Sequence, residues 1–371
     1  MNRREFLGRQ GALLGAVGIA ATFPSIAART AASAEALNVT LKFLGWQGYD
    51  EPKAMGPLVA QGLTLDAQYI TGNAEIITKL RSGGMGSIDV VTPGISAIGP
   101  LIKSKLVEPI DPKRLPSSDR LFAQFRNMSW QQSEGQNYAA PVSWSDYPLS
   151  YRADLFKDLP EKWEDLGDTK YRGKLITLDD PANLWLFARA LFKTTDFSKL
   201  TKAQVNQVAE AFMPVKANLT TIAPSFGDIT DVLARGDAQA SVLGWRFIDS
   251  KLKAKGIDGA SFVPPEDGTF LWCDSYCIAA KAPHLEQAYA FLEQMLSAEG
   301  NAIIVAAIGC GVVNADAVAL LPEDQKKLYP YEDLPAFLEK NTFYIPPSLE
   351  AEGEIATMRD WTEAWERIKL S

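Results

Sequence analysis

Apolar runs of strand length that alternate with helical segments constrain this chain more than any other feature. Val39 to Leu44 alternates apolar and polar residues, the period-two pattern of a strand, and runs into the loop Gly45-Trp46-Gln47-Gly48-Tyr49. A helix follows near Glu75 to Arg81, carrying Ile76, Ile77 and Leu80, and closes on Ser82-Gly83-Gly84. That glycine cluster lacks the Lys-Ser/Thr of a phosphate-binding loop and precedes a strand, so it reads as a helix cap and turn. Ile88-Asp89-Val90-Val91 forms a buried strand ending at Thr92-Pro93-Gly94, and Pro141-Val142-Ser143-Trp144 leads into a second αβ region. Strands are predicted at Leu175 to Leu178, Ala240 to Trp245 and Phe270 to Ala279, helices after Pro181 and Gly227, and a mainly helical section from Asn314. Strands interleaved with helices in this way define an α/β fold.

The N-terminus indicates the compartment. Arg3-Arg4-Glu5-Phe6-Leu7, the apolar run from Gly11 to Ala27 and the small residues Ala32-Ser33-Ala34 before Glu35 make the three parts of a cleaved secretory peptide, with the paired arginines of twin-arginine export. The apolar run falls short of the roughly 20 residues that cross a bilayer, which argues against an anchor helix. Cleavage after Ala34 leaves 337 of 371 residues, enough for about two domains with real cores. It also removes four arginines and one glutamate, taking the net charge from −8 to −11. An acidic protein is a poor partner for nucleic acid or anionic lipid, whose affinity rests on Lys and Arg meeting phosphates. A periplasmic protein without nucleic-acid partners is the reading.

Cysteine and histidine usage removes most catalytic chemistries. Cys273, Cys277 and Cys310 form no CxxC pair, so no zinc ribbon, redox motif or disulfide framework is visible, and a bond from Cys273 or Cys277 to Cys310 stays open. On one strand Cys273 and Cys277 lie roughly 13 Å apart, too far to bridge. The single histidine, His284, follows Lys281-Ala282-Pro283 and opens an amphipathic run through Leu285, Tyr289, Phe291, Leu292 and Met295. It reads as an exposed helix start without catalytic or metal partners. No metal and no cofactor are expected.

The order Gly45-Trp46-Gln47-Gly48-Tyr49, Ile88-Asp89-Val90-Val91-Thr92-Pro93, Pro141-Val142-Ser143-Trp144, Tyr171-Arg172-Gly173-Lys174-Leu175, Asp179-Asp180, Arg235-Gly236-Asp237, Leu243-Gly244-Trp245 and Leu271-Trp272-Cys273-Asp274-Ser275 resembles the periplasmic spermidine/putrescine-binding proteins of ABC importers. The likeness spans essentially the whole chain after the leader, and the order and spacing of these motifs carry it. It implies a two-lobed periplasmic-binding-protein fold whose lobes, joined by crossover strands, enclose a ligand cleft. Lobe one would comprise residues 35–142 and 272–312, lobe two 147–266 and 316–371. The resemblance further implies a monomer that does no chemistry and delivers a small amine, a polyamine such as putrescine or spermidine, to a membrane permease.

A polyamine needs carboxylates for its cationic ends and aromatic faces for its methylenes. Period-two alternation along Phe270 to Ala279 puts Trp272 and Asp274 on one face. Trp144 and Asp146 repeat that one-apart pair at the suggested first crossover, while Trp46 and Tyr49 lie at a strand end where α/β clefts open. Trp245 and Ser96 join them by resemblance, although Gly94-Ile95-Ser96 lacks the tyrosine common there in the family. Asp180, followed by Pro181 and the run Leu184, Phe187, Ala188 and Leu191, has the signature of a helix N-cap as well as of a ligand contact, two roles competing for the same oxygens. Asn183 stands where the spermidine binders usually carry a glutamate, which weakens the case for a long triamine. Arg246 in the cleft would favour a zwitterion, but alternation with Trp245 turns it to solvent. Thiamine, a quaternary ammonium or a zwitterionic amine are competing ligands, since an aromatic cage with acids suits them too. The competing class is an exported enzyme, against which stand the lone histidine and the missing dinucleotide fingerprint.

Overall fold

The computed structural model describes residues 37–371, and the leader expected at residues 1–34 lies outside the described residues. In the first sheet β1 (Thr40–Gly45) runs parallel to β2 (Thr64–Tyr69) and β3 (Val90–Val91). A hairpin of β4 (Gln132–Ser133) and β5 (Gln136–Asn137) precedes the long β6 (Ala140–Asp146). The chain then builds a second sheet from β7 (Leu149–Arg152), β8 (Leu175–Leu178), β9 (Leu219–Ala223), β10 (Ala240–Ser241) and β11 (Gly259–Phe262), in the order β11-β7-β10-β8-β9. It returns through β12 (Leu271–Ile278), antiparallel to β6 and β3, and β13 (Gly311–Val312), so the first sheet reads β13-β6-β12-β3-β1-β2. The fold is therefore two α/β lobes with β6 leading out and β12 leading back. Every residue of β6 is buried, as a strand covered on both faces requires.

Helices follow the parallel strands of both sheets. In the first lobe these are α1 (Pro52–Val59), α2 (Asn73–Lys79) and α3 (Ile95–Lys103). In the second they are α4 (Ala182–Phe192), α5 (Lys202–Lys216), α6 (Phe226–Arg235) and α7 (Arg246–Ala254). The helices α8 (Leu285–Leu296) and α9 (Ala298–Ile308) link β12 to β13, and α10 (Glu323–Lys326), α11 (Leu334–Lys340) and α12 (Met358–Leu370) close the chain. The last of these packs on α5, burying Trp361 and Trp365, and the Trp365 indole donates to Asp179 at 2.7 Å. Among the described residues no single helix is long and apolar enough to cross a membrane.

Three sequence expectations change. The strand predicted to Trp245 stops at Ser241, because side-chain hydroxyls replace the ladder: Leu243 N–H donates to Thr177 Oγ1 at 3.2 Å and Trp245 N–H to Ser150 Oγ at 3.1 Å. His284 has a partner after all. Its backbone N–H donates to Asp89 Oδ1 at 2.8 Å and its Nδ1 lies 3.1 Å from Oδ2, while the same buried carboxylate accepts Lys42 N–H at 2.8 Å. Asp89 thus ties α8 to the first sheet. The three cysteines are free and buried, and β6 runs between β12, which carries Cys273 and Cys277, and β13, which begins one residue after Cys310.

Arg246 is the third correction. It opens α7, whose N-cap is Trp245, and turns inward to Asp146 with two parallel bonds of 2.7 Å each. Its guanidinium also sits 5.7 Å from the Tyr329 ring centroid. Burial disfavours the charge, but the Asp146 carboxylate more than offsets this and holds the pKa above the ordinary arginine value. Asp146 ends the outgoing strand β6 while Arg246 belongs to the second lobe, so the pair fastens the crossover to the helix beside it. Asp146→Asn should destabilise the protein by about 3–5 kcal/mol, because it strands a buried charge, whereas replacing both partners by Leu and Met should cost far less. Urea unfolding of the single and double variants checks the difference.

Candidate ligand-binding site

In α/β sheets, ligands sit beyond the carboxyl ends of parallel strands, where helices begin. A cavity of about 760 Å³ opens there. The ends of β1, β2 and β3 contribute Trp46 and Tyr49, Asn73, and Gly94 and Ser96, respectively. From the second lobe, the end of β8 supplies Asp180 and Trp185, β9 leads to Phe226, and β10 leads to Trp245 and Phe247. The returning strand β12 crosses the cavity with Trp272 and Asp274, which share a face as their spacing requires.

Asp274 is the most constrained of these groups. Its Oδ2 accepts the Tyr49 hydroxyl at 2.5 Å, and that hydroxyl stands 2.7 Å from Ser143 Oγ. A register shift between Asp274 and Ser275 re-aims the strand here, and Ser275 N–H donates to Pro93 O at 3.0 Å. A Cβ on Gly94 would crowd Asp274 Oδ1 at 3.0 Å and Asn73 Nδ2 at 3.1 Å, so a larger residue there would push on the Asp274 carboxylate. Burial pushes the Asp274 carboxyl from its ordinary 3.8 up to about 6, and the hydrogen bond from Tyr49 opposes that shift. The Tyr49 phenol is itself pushed well up, by burial first and by Asp274 second.

Asp180 reaches the same cavity from the second lobe. Its Oδ1 accepts Ala182 N–H at 2.7 Å, capping α4, whereas Oδ2 has no hydrogen bond to a described residue. Capping and ligand contact therefore use different oxygens, and the competition expected from sequence does not arise. Burial raises this carboxyl too, opposed by the Ala182 N–H and reinforced by Asp179. Burial raises the Tyr147 and Tyr344 phenols, and both carboxylates add to that rise.

Of the ten residues expected in the cleft, Trp46, Tyr49, Ser96, Asp180, Trp245, Trp272 and Asp274 line this cavity. Trp144, Asp146 and Asn183 do not. Trp144 is fully buried in the core, donates its indole N–H to Val312 O at 2.9 Å and packs so closely on Gly311 that a Cβ there would come within 2.5 Å of it. Asp146 is taken by Arg246. Asn183 is buried and saturated: Thr177 Oγ1 donates to its Oδ1 at 2.5 Å, and its Nδ2 donates to Leu178 O and Asp180 O at 2.8 Å each. It positions Asp180 by holding that residue's carbonyl.

Sequence reasoning missed Asn73, Tyr147, Trp185, Phe226, Phe247 and Tyr344. The strand-end rule that selected Trp46 reaches Phe226, Phe247 and Trp185, each within a helical turn or so of a helix start. Tyr344 lies in an irregular segment after α11, where no periodicity points to it. Among the described residues the wall holds three acids, Glu51, Asp180 and Asp274, no lysine, arginine or histidine, and nine aromatic side chains. The indole N–H groups of Trp46, Trp185 and Trp245 are buried without an acceptor.

A two-lobed α/β fold with one aromatic, acidic cleft at the strand ends is the architecture of a solute-binding protein. The chain belongs to the family of bacterial extracellular solute-binding proteins, whose family model matches residues 60–366. A spermidine/putrescine-binding periplasmic protein of Escherichia coli is 25% identical over 306 residues, 79% of this chain and 84% of that protein. One from Haemophilus influenzae is 23% identical over 314 residues, 82% and 84% of the two chains. In fold, the chain matches the spermidine/putrescine ABC transporter substrate-binding protein of Streptococcus pneumoniae with a TM-score of 0.73 at 18% identity, covering 89% of this chain and 97% of the other. A lipoprotein of Treponema pallidum gives 0.74 at 17% identity, covering 90% and 100%.

The raised Asp274 carboxyl predicts a pH signature for the unliganded protein. Between about pH 4 and 6 the folded state holds a proton that the unfolded chain releases, so stability falls as pH rises through that window. Asp274→Asn should be more stable than the parent by up to about 3 kcal/mol at pH 7, with the advantage vanishing below about pH 4. Denaturant titrations at the two pH values check this.

Proposed function

We propose that this chain is the periplasmic substrate-binding component of an ABC importer that captures a small organic amine, with a polyamine such as putrescine or spermidine as the first candidate. The carrying observation is the cavity wall: among the described residues, three carboxylates, no basic side chain and nine aromatic side chains. Such a wall repels anions, offers sugars few hydrogen-bonding partners, and suits an ammonium through charge-assisted bonds and cation–π attraction. Asp274 Oδ1 and Asp180 Oδ2 are the acceptors, with Tyr49 holding Asp274, and Trp46, Trp245 and Trp272 covering the carbon chain. The names of the relatives support the same ligand class. The protein acts as a monomer, does no chemistry, closes its lobes on the ligand and presents it to the permease.

The lobe division at residues 35–142 with 272–312, and 147–266 with 316–371, is supported for the first three segments by the sheet to which each strand belongs and for the C-terminal helix by its packing on α5, while Tyr331 and Phe343 pack on the first lobe. Residues 1–34 are assigned as a twin-arginine leader on their sequence alone. A Lys-Lys exchange of Arg3 and Arg4 should leave the protein in the cytoplasm, as fractionation with immunoblotting reads directly.

Putrescine should raise the melting temperature, and its diacetylated form should not. Asp274→Asn should weaken amine binding about 30- to 1,000-fold while the protein stays folded by circular dichroism. Affinity should fall as pH is lowered through about 6, because the ammonium meets the carboxylate and not the acid. Stabilisation by dicarboxylates or sugars with no response to any amine rejects the proposal.

A further inference from the structure

We propose that Glu51 is a further ammonium acceptor of the cleft, placed at its rim, and that it makes the site selective for amines with more than one charge. This rests on the amine-binding reading above and deepens it, by assigning one cationic end of a polyamine to a named carboxylate. Glu51 stands where the cavity meets an outer groove of about 570 Å³ against α9. Glu51 and Ala307 line both spaces, whereas Asp180 and Asp274 line the cavity alone. The Tyr49 side chain separates Glu51 from Asp274, since its hydroxyl reaches Asp274 while its backbone lies two residues before Glu51. A chain with an ammonium on Asp274 therefore has a second carboxylate to reach towards the rim.

Close backbone approaches build that rim. Gly48 faces Ile308 and Gly309 faces Phe247, and a Cβ at either glycine would overlap the side chain opposite. The C-terminal end of α9 thus gathers the loop before α1 and the start of α7 beside the cavity. Phe247 lines the cavity there, with Trp245 4.9 Å away between centroids, so aromatic faces accompany the carboxylate.

Glu51 has little to bind within the protein. Its Oε1 accepts Lys53 N–H at a long 3.4 Å, a weak cap on α1, and its Oε2 accepts no hydrogen bond from a described residue. Asp50 beside it is engaged, taking the Tyr69 hydroxyl at 2.8 Å. Lys53 lines the outer groove and not the cavity, and Arg246, the basic residue next to Phe247, is held by two 2.7 Å bonds to Asp146. The cavity wall offers Glu51 no basic side chain among the described residues. A half-buried carboxylate in that position gains most from a cation that the ligand brings. A monoamine can answer only one acid of the wall, whereas a polyamine answers a second without a second loss of translational freedom.

Isothermal titration of the full chain and its Glu51→Gln variant with putrescine, spermidine and butylamine tests this. Butylamine keeps the carbon chain of putrescine and lacks its second ammonium. The parent should bind the tighter of the two polyamines at least about tenfold better than butylamine. Glu51→Gln should weaken that polyamine about tenfold and change butylamine by less than about twofold, a smaller loss than at Asp274 because the rim is open to water. Glu51→Asp, which keeps the charge and caps a helix at least as well, should retain part of the preference, and this separates charge from capping. Polyamines that bind the parent no better than butylamine, an unchanged polyamine preference in Glu51→Gln, or an equal loss for all three amines overturns the proposal and leaves the amine reading standing. If none of the three amines binds the parent, the amine reading itself is lost.

Discussion

The antiparallel pairing of β6 with β12 is the constraint on which the site depends. Leu271 opposes Asp146, Trp272 opposes Ser145, Cys273 opposes Trp144 and Asp274 opposes Ser143. Directly opposed residues share a face of the sheet, so Trp272 and Asp274 lie with the two serines, and Trp144 and Asp146 lie on the other side. The two one-apart Trp/Asp pairs are thereby excluded from facing the cleft together. A slip of one residue would exchange their roles and set a bare carboxylate in the core. The core prevents it: Trp144 is locked against Gly311, Tyr329 and the Val312 carbonyl, and Asp146 is locked by Arg246.

The same topology brings the starts of several helices to the cavity, and their unpaired N–H groups carry partial positive charge. Left unanswered, that arrangement would attract anions. Here much of it is answered internally. Asp180 Oδ1 takes the Ala182 N–H of α4, Ser225 Oγ takes Asp228 N–H of α6 at 3.1 Å, and Asn73 Oδ1 takes the Gly94 N–H leading into α3 at 2.8 Å. With the helix ends engaged and no basic side chain in the wall, the free carboxylate oxygens set the sign of the cleft.

How much of this was legible in the sequence depended on the range of the interaction. Strands with clean alternation or β-branched runs, such as those at Thr40 and Leu175, stood out because the signal is carried by adjacent residues. Trp272 and Asp274 were legible for the same reason. Trp144 and Asp146 carry an identical local pattern, and only the pairing register distinguishes them. Arg246 next to Trp245 suggested a strand alternation, but the backbone there passes from hydroxyl partners into a helix, so the side chain turns inward. Asp89 and His284 lie far apart in sequence, and their contact exists only once β3 and α8 pack. The interleaving of the lobes was visible through family resemblance and not through periodicity.

The buried acids Asp146 and Asp89 differ from the half-buried Asp274 and Asp180 in how completely their oxygens are paired. Asp146 meets a guanidinium with both oxygens, and Asp89 accepts two backbone N–H groups and faces His284. These are complete. Asp274 and Asp180 each engage one oxygen and leave the other turned to the cavity region. A half-satisfied buried carboxylate can be relieved by a proton or by a cation. Asp249, a buried residue of α7 away from the cavity wall, leaves Oδ1 unpartnered among the described residues, and burial raises its carboxyl to about 7. Asp274 is raised less, to about 6, with the Tyr49 hydroxyl donating to it, and it lines the cavity. On the function proposed above, an ammonium supplies the partner that Asp274 Oδ1 lacks among the described residues, and burial of the carboxylate becomes selectivity for a positively charged ligand.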